Sequence, residues 1–380
     1  MVHVAVVGAG PIGLDSALAA HQRGWTVTVY EKAPQVAGHI RDWSHVQMFT
    51  PWSMNASARM TAALPRPENT CPHGSEFAQY LERISVLLPS GSVRTAVSVE
   101  AIARDGLLKS DEIGTAVRAD LPFRLLVRDS DGAESIEQAD LVIDSSGTWS
   151  NPSPLGRGGI PAVGERSVEI TRRIPEIDQS WSGRRVLLVG SGNSAQTAAR
   201  GLAAAGAELT WAVRRSAPTW GAVENDVLPD RAALVTSSRT LDQAGTVIKG
   251  VTIDALRETK DGVDVTLIDL GGVRQHVHVD AVVSLVGSVP DASIYRQLQV
   301  HECYATEGVM NLAATLLGSA GGDCLTQVGA GVDSLRNPEP RFFVLGSKSY
   351  GRNNTFLLRI GYEQVDAVFD ALDSELPRRG

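Results

Sequence analysis

Cysteine is scarce. Cys71, Cys303 and Cys324 are the only three in 380 residues. They are widely spaced and odd in number, which argues against a disulfide framework and suits a reducing cytoplasm. No C-x-x-C pair occurs, so the common dithiol redox centre is absent. Zinc-ligand spacing is missing too. His276 and His278 alternate in the strand-like QHVHV, but no third ligand is near in sequence, and a solvated strand face accounts for them. Lys and Arg form no block and the net charge is −8, which argues against nucleic acid and anionic membranes as partners. No apolar run approaches a membrane span. The N-terminus reads as a strand with no basic region before it, and so not as a signal peptide.

What is present is glycine, placed twice at a strand-to-helix turn. The chain opens with VHVAVVGAGPIGLDSALAAHQRGWTVTVYEK. This reads as strand Val2–Val7, a glycine turn, a helix to about Arg23, strand Trp25–Tyr30 and then Glu31, a βαβ start. RRVLLVGSGNSAQTAAR (184–200) repeats the plan. Strand Arg185–Val189 enters a glycine turn, a helix runs to about Ala205, and strand Leu209–Val213 leads to Arg214.

The rest of the chain fits around these units. Residues 32–73 read as irregular and rich in Trp, Pro, Met and His, and so long a loop usually serves function. SEFAQYLERISVLL predicts a helix over 75–88. Residues 92–146 predict a β-meander ending in ADLVIDSSG. NPSPLGRGGIPAVGE (151–165) predicts a crossing between domains. VDVTLIDLGG and VDAVVSLVGSVPD predict a second meander that matches the first in pattern. Residues 341–372 predict a buried strand, a polar loop and a helix.

In Gly8-Ala9-Gly10-Pro11-Ile12-Gly13 the glycines permit a tight turn, close approach of a pyrophosphate, and packing of helix on strand. The helix N-terminus adds free N–H groups and a positive dipole end. Glu31 stands where an acid bonds ribose hydroxyls. Lys32, Trp43 and Val97 are expected to line the same site. Gly190-Ser191-Gly192-Asn193-Ser194-Ala195 has Ala at the third glycine position, a known variant. Its second strand ends in Arg214-Arg215. A carboxylate there would repel a 2′-phosphate and a guanidinium would bind it bidentately, so NADPH is expected. The alternative is that both arginines are merely solvated. Two dinucleotides in one chain suggest a tightly held redox group, FAD in the acid-ended site, and a hydride donor, NADPH, in the other.

The motifs GAGPIG with Glu31, GSGNSA with Arg214, DSSGTW, SLVGSVPD and the closing strand-loop-helix together resemble those of the two-dinucleotide-binding-domain flavoproteins. That superfamily holds the thioredoxin-reductase-like enzymes and the class B flavin monooxygenases. The resemblance covers nearly the whole chain. It implies an α/β fold of two Rossmann-like domains, each with a β-meander. The NADPH domain (156–289) would be inserted into the FAD domain (1–155 and 290–380). It further implies that Ser146-Gly147 and Gly287 lie where the domains meet and that the loop after Gly346 lies beside the flavin. The helix including Gly361 would point its N-terminal end at the pyrimidine ring. Many relatives carry an Asp right after the glycine at 346. Here the residues are Ser347 and Lys348.

Three readings compete. In the first, a flavin monooxygenase oxygenates a small molecule with O2 through a C4a-(hydro)peroxyflavin. AGHIRDW (37–43) resembles a stretch of the class B enzymes, whereas their F-x-G-x-x-x-H-S segment is missing. In the second, a reductase passes electrons to a ferredoxin, a quinone or a small disulfide. The third is a redox-sensing binding module, against which both intact glycine turns count. A homodimer is compatible with any of them.

The substrate region is expected at 38–73 with help from 347–356. Its aromatics either wall the isoalloxazine ring or plug the core. Arg352 is the first candidate for catalysis, binding a substrate carboxylate, NADPH or an anionic intermediate. His45 follows, as acid, base or hydrogen-bonding partner. Lys348 is a further cation, and Asn353 an oriented amide or a loop former.

Overall fold

A computed structural model describes residues 2–224, 226–318, 329 and 331–376. The chain divides into two compact units, 1–151 with 289–380, and 152–288. In chain order the strands of the first part are β1 (His3–Val7), β2 (Thr26–Glu31), β3 (Val93–Thr95), β4 (Ser98–Arg104), β5 (Phe123–Arg128), β6 (Glu134–Ala139) and β7 (Leu141–Asp144). The inserted unit holds β8 (Arg185–Val189), β9 (Glu208–Val213), β10 (Val247–Lys249), β11 (Val251–Thr259), β12 (Gly262–Asp269), β13 (Arg274–Val279) and β14 (Ala281–Ser284). β15 (Phe342–Val344) returns to the first unit. The principal helices are α1 (Pro11–Gln22), α2 (Gly74–Ser85), α3 (Asn193–Ala204), α4 (Pro229–Gln243), α5 (Met310–Gly318) and α6 (Leu358–Leu372).

The first unit is built on a five-stranded parallel sheet in the order β15-β7-β1-β2-β3. β1 and β7 are continuous apolar runs buried along nearly their whole length, as central parallel strands must be when helices cover both faces. This corrects one expectation. Leu141–Asp144 is not part of the meander but the parallel neighbour of β1, with Val4 opposite Leu141 and Val7 opposite Asp144. The antiparallel meander is β4-β5-β6 alone.

The second unit repeats the design with a four-stranded parallel sheet, β10-β9-β8-β14, and an antiparallel meander, β11-β12-β13. The same correction applies to VDAVVS, since β14 pairs with β8 in parallel. Residues 152–165, expected as a crossing, belong to this unit, where Gly156 and Val163 bridge Ile253 and Ala255. The segment 32–73 carries three short helical turns, Gly38–Arg41, Trp52–Asn55 and Ala58–Ala63.

A buried ionic cluster ties early and late segments of the first unit together. Arg104, Arg118 and Glu339 are each 1% exposed. Glu339 accepts from Arg104 Nε at 3.0 Å, Arg118 Nη2 at 2.7 Å and the Gln299 N–H at 2.9 Å. Further guanidinium N–H groups reach the carbonyls of Leu121, Pro340, Leu108 and Asp111. The charges are therefore paired and hydrogen-bonded, the condition under which burial is tolerated.

Candidate dinucleotide-binding sites

In the first unit the chain adds β2 and β3 on one side of β1, then β7 and β15 on the other. The carboxyl ends of β1 and β7 thus flank a topological switch point, where open α/β sheets bind ligands. The glycine turn is shaped for this place. Gly8 has φ of +95°, and a Cβ there would lie 2.9 Å from the Ser145 carbonyl oxygen. A Cβ on Gly13 would lie 1.9 Å from the Gly8 carbonyl oxygen, because α1 packs directly on the turn. Gly10 differs. No atom lies within 4 Å of the position its Cβ would take, so that side of the turn is open to a ligand. Pro11 is the first residue of α1, where its missing N–H costs no helical bond.

Two further residues continue the open edge. Gly147 follows β7, and a Cβ there would meet only the Ser347 hydroxyl, at 3.6 Å. Ser347 itself follows β15. Beneath them Ile12 fills the floor, 3.3 Å and 2.4 Å from where side chains on Gly346 and Gly361 would begin. At the other end Glu31 closes β2. Its Oε2 accepts the Ala9 N–H at 2.8 Å and its Oε1 that of Ala33 at 2.9 Å. Each oxygen keeps lone-pair capacity for a hydroxyl donor. Lys32 is exposed beside it. Val97 is buried, and its N–H donates to the Glu31 carbonyl at 3.0 Å.

The four residues expected to serve catalysis differ in exposure and in partners. Lys348 is 2% exposed. Its Nζ donates to Asp144 Oδ2 at 2.7 Å and Ser146 Oγ at 3.0 Å, so it is a buried partner and not an open loop cation. Arg352 is exposed and pairs with Glu307 at 2.8 Å. Asn353 is a loop former, its Oδ1 accepting from the backbone N–H and hydroxyl of Thr355. His45 is half-buried, with its carbonyl 3.3 Å from His73 Nδ1.

The aromatics of 43–52 turn mainly into the core. A Cβ on Gly74 would stand 2.8 Å from Trp43, which therefore packs against the start of α2. Trp52 is 2% exposed and meets Phe77 and Tyr80 edge-on. Two polar residues of the site were not legible in sequence. Asp144 caps an all-apolar strand, the one cue available. Gln364 accepts the Gly346 N–H at 2.8 Å and donates to Ser349 Oγ at 3.0 Å, fixing the loop after β15.

The second unit has a matching turn. Gly190 has φ of +124°, and a Cβ there would lie 2.2 Å from the Leu285 carbonyl oxygen, while Gly192 faces open space. Ala195, fully buried, takes the place that Gly13 holds in the first turn. Trp211 Nε1 donates to the Gly190 carbonyl at 2.7 Å and its ring packs on Trp220, 4.6 Å between centroids. Ser191 and Ser194 are half-buried and Asn193 is exposed along the turn and the first residues of α3. Arg214 and Arg215 stand exposed just past β9, and neither guanidinium forms an ion pair among the described residues. Gly287, with φ of +86°, lies in the loop after β14. Neither Cys71 nor Cys303 forms a disulfide among the described residues, and Cys324 lies outside them. No cluster of metal-ligating side chains and no helix long and apolar enough to cross a membrane occurs among the described residues.

A family described as NAD(P)-binding Rossmann-like domain matches residues 6–64. No curated protein matches the chain. Among solved structures it is similar to the bacillithiol disulfide reductase of Bacillus cereus, at 19% identity over 98% of this chain and 99% of that one, with a TM-score of 0.75. It is also similar to a flavin-containing monooxygenase of Stenotrophomonas maltophilia, at 18% identity over 99% of both chains and a TM-score of 0.62. The thioredoxin reductase of T. acidophilum matches at 17% identity over 98% of this chain and 97% of that one, with a TM-score of 0.61. With two parallel sheets, each entered through a glycine turn, and with these likenesses, the chain has the fold of the two-dinucleotide-binding-domain flavoproteins, and its residues 6–64 are similar to the NAD(P)-binding Rossmann-like family.

Proposed function

We propose that this protein is an NADPH-dependent flavoprotein oxidoreductase. FAD is held in the first unit, NADPH in the second, and electrons go to a small-molecule acceptor such as a quinone or low-molecular-weight disulfide without insertion of oxygen. The observation that carries the reading is the open edge running from Glu31 past Gly10 to Gly147 and Ser347. It crosses the carboxyl ends of β2, β1, β7 and β15, neighbours at about 4.8 Å spacing, hence roughly 14 Å. That length suits an extended dinucleotide rather than a single phosphate group.

The residues present fit FAD. A side chain on Gly10 would stand in the crevice, the α1 N-terminus faces the pyrophosphate position, and Glu31 offers its carboxylate to the ribose. Bound FAD would supply a two-electron acceptor able to pass electrons on in pairs or singly. In the second unit the α3 N-terminus would take the NADPH pyrophosphate, and Arg214 and Arg215 the 2′-phosphate.

Three of the four candidate catalytic side chains have protein partners: Lys348 pairs with Asp144, Arg352 with Glu307, and Asn353 with Thr355. The likeness to a disulfide reductase favours electron transfer. Oxygenation is the second reading, favoured by the AGHIRDW segment. Anaerobic reduction with NADPH, followed by rapid mixing with oxygen, a quinone or a disulfide, separates them. Fast reoxidation by quinone or disulfide and slow, featureless reoxidation by oxygen are expected. A transient spectrum in oxygen that persists until an organic substrate is added would establish the second reading instead.

A further inference from the structure

The pair formed by Lys348 and Asp144 lies inside the first unit, with side chains 2% and 0% exposed. Asp144 is the last residue of β7, and Lys348 sits in the turn Gly346–Tyr350 that follows β15. Lys348 Nζ is bonded to Asp144 Oδ2 and Ser146 Oγ and lies 5.0 Å from the centre of the Tyr295 ring. The other Asp144 oxygen accepts from the Ser146 N–H at 3.1 Å and its hydroxyl at 2.7 Å. The Ser146 hydroxyl is thus both donor and acceptor in one closed set. Each loop residue in this set is the immediate neighbour of a residue on the crevice wall: Ser146 precedes Gly147, and Lys348 follows Ser347.

An apolar pair could hold two loops together at no smaller stability, since buried ion pairs often give way to hydrophobic replacements without loss. It could not aim them. Charge-assisted bonds to specific atoms fix direction as well as distance. We infer that the Lys348–Asp144 pair is a positioning latch that sets the Gly147 and Ser347 walls at the β15 end of the first crevice, and thereby the fit of the isoalloxazine half of FAD. The inference rests on the flavin reading of this unit.

The test compares wild type, Lys348→Met and the double variant Lys348→Met with Asp144→Asn, using FAD itself as probe. Thermal unfolding of the apoprotein, the FAD dissociation constant and the midpoint potential of the bound flavin are measured. Lys348→Met is expected to lower the melting temperature and to weaken FAD at least tenfold, because Asp144 loses its counter-charge. The double variant removes both charges and is expected to regain the melting temperature while FAD affinity and potential stay altered. Recovery of all three in the double variant, or wild-type FAD affinity and potential in Lys348→Met, would overturn the latch. Wild-type protein that takes up no FAD would overturn the flavin reading itself, and the latch with it.

Discussion

Gly361 and Ile12 touch so closely that a methyl group on the glycine would lie 2.4 Å from Cδ1 of the isoleucine. One residue belongs to α6 and the other to the first turn of α1, just after the glycine turn, so their contact seats α6 under the first crevice. Alanine would gain about 1 kcal/mol of helix propensity over glycine, but overpacking a filled site costs about 1–3 kcal/mol. The steric effect wins. Gly361→Ala is expected to destabilise the protein and weaken FAD, and adding Ile12→Val, which removes the clashing methyl, to restore part of both. Denaturant melts and FAD titration of the two variants check this.

Glu339→Gln probes the buried cluster with Arg104 and Arg118. Removing the single carboxylate leaves two guanidinium groups buried without a counter-charge, and a loss of about 3–5 kcal/mol is expected. Glu307→Gln is the contrast. Glu307 pairs with Arg352 where both side chains are more than 40% exposed, and a loss under about 1 kcal/mol is expected. Equal losses for the two, measured by urea unfolding, would contradict the assignment of the first pair as a core element.

Arg214→Ala is expected to reduce the preference for NADPH over NADH. A hydrogen bond to a charged group contributes about 1.5–3 kcal/mol, so the ratio of kcat/KM values for the two coenzymes should fall about tenfold to a hundredfold. The change should come through NADPH alone. Steady-state assays with a quinone acceptor measure it, and an unchanged ratio would return Arg214 to the solvated surface.

Asp15 gives the fold a pH dependence. Burial dominates and pushes its carboxyl up to about 6, against the opposing pull of Arg59 and the Ser57 hydroxyl. The folded value is above the unfolded one, about 3.9. The stability it contributes is therefore fully present below about pH 4 and is lost as pH rises through about 6. The difference between the folded and unfolded values corresponds to about 3 kcal/mol. Relative to Asp15→Asn, which does not titrate, wild type is expected to lose about that much between pH 4 and pH 7. Urea melts across that range would show parallel curves if Asp15 had an ordinary carboxyl.

Both glycine turns were legible because each glycine answers a local demand: a positive φ, a helix laid on a turn, an open face. Their strands were legible for the same reason. The true neighbours of β1 and β8 were harder to see. LVID and AVVS are short apolar runs, and read beside alternating strands they pass for the last members of meanders. Their unbroken apolar character, without the alternation of a half-exposed strand, is the signature of a parallel strand, and it was the available cue. Lys348 could not have been placed from sequence, since Asp144 lies 204 residues away and only the sheet order brings them together. Trp52 was ambiguous on physical grounds, because an aromatic that plugs a core and one that walls a ligand have the same composition. Its contacts with Phe77 and Tyr80 decide for the core.

The first sheet draws β1 from the opening of the chain and β15 from its closing segment, with the whole of 152–288 between them. During synthesis the inserted unit leaves the ribosome complete while the outer one still lacks a strand and the helix that seats against Ile12. The insert can therefore assemble early, whereas the FAD uptake proposed for the outer unit must wait until β15 and α6 have been made.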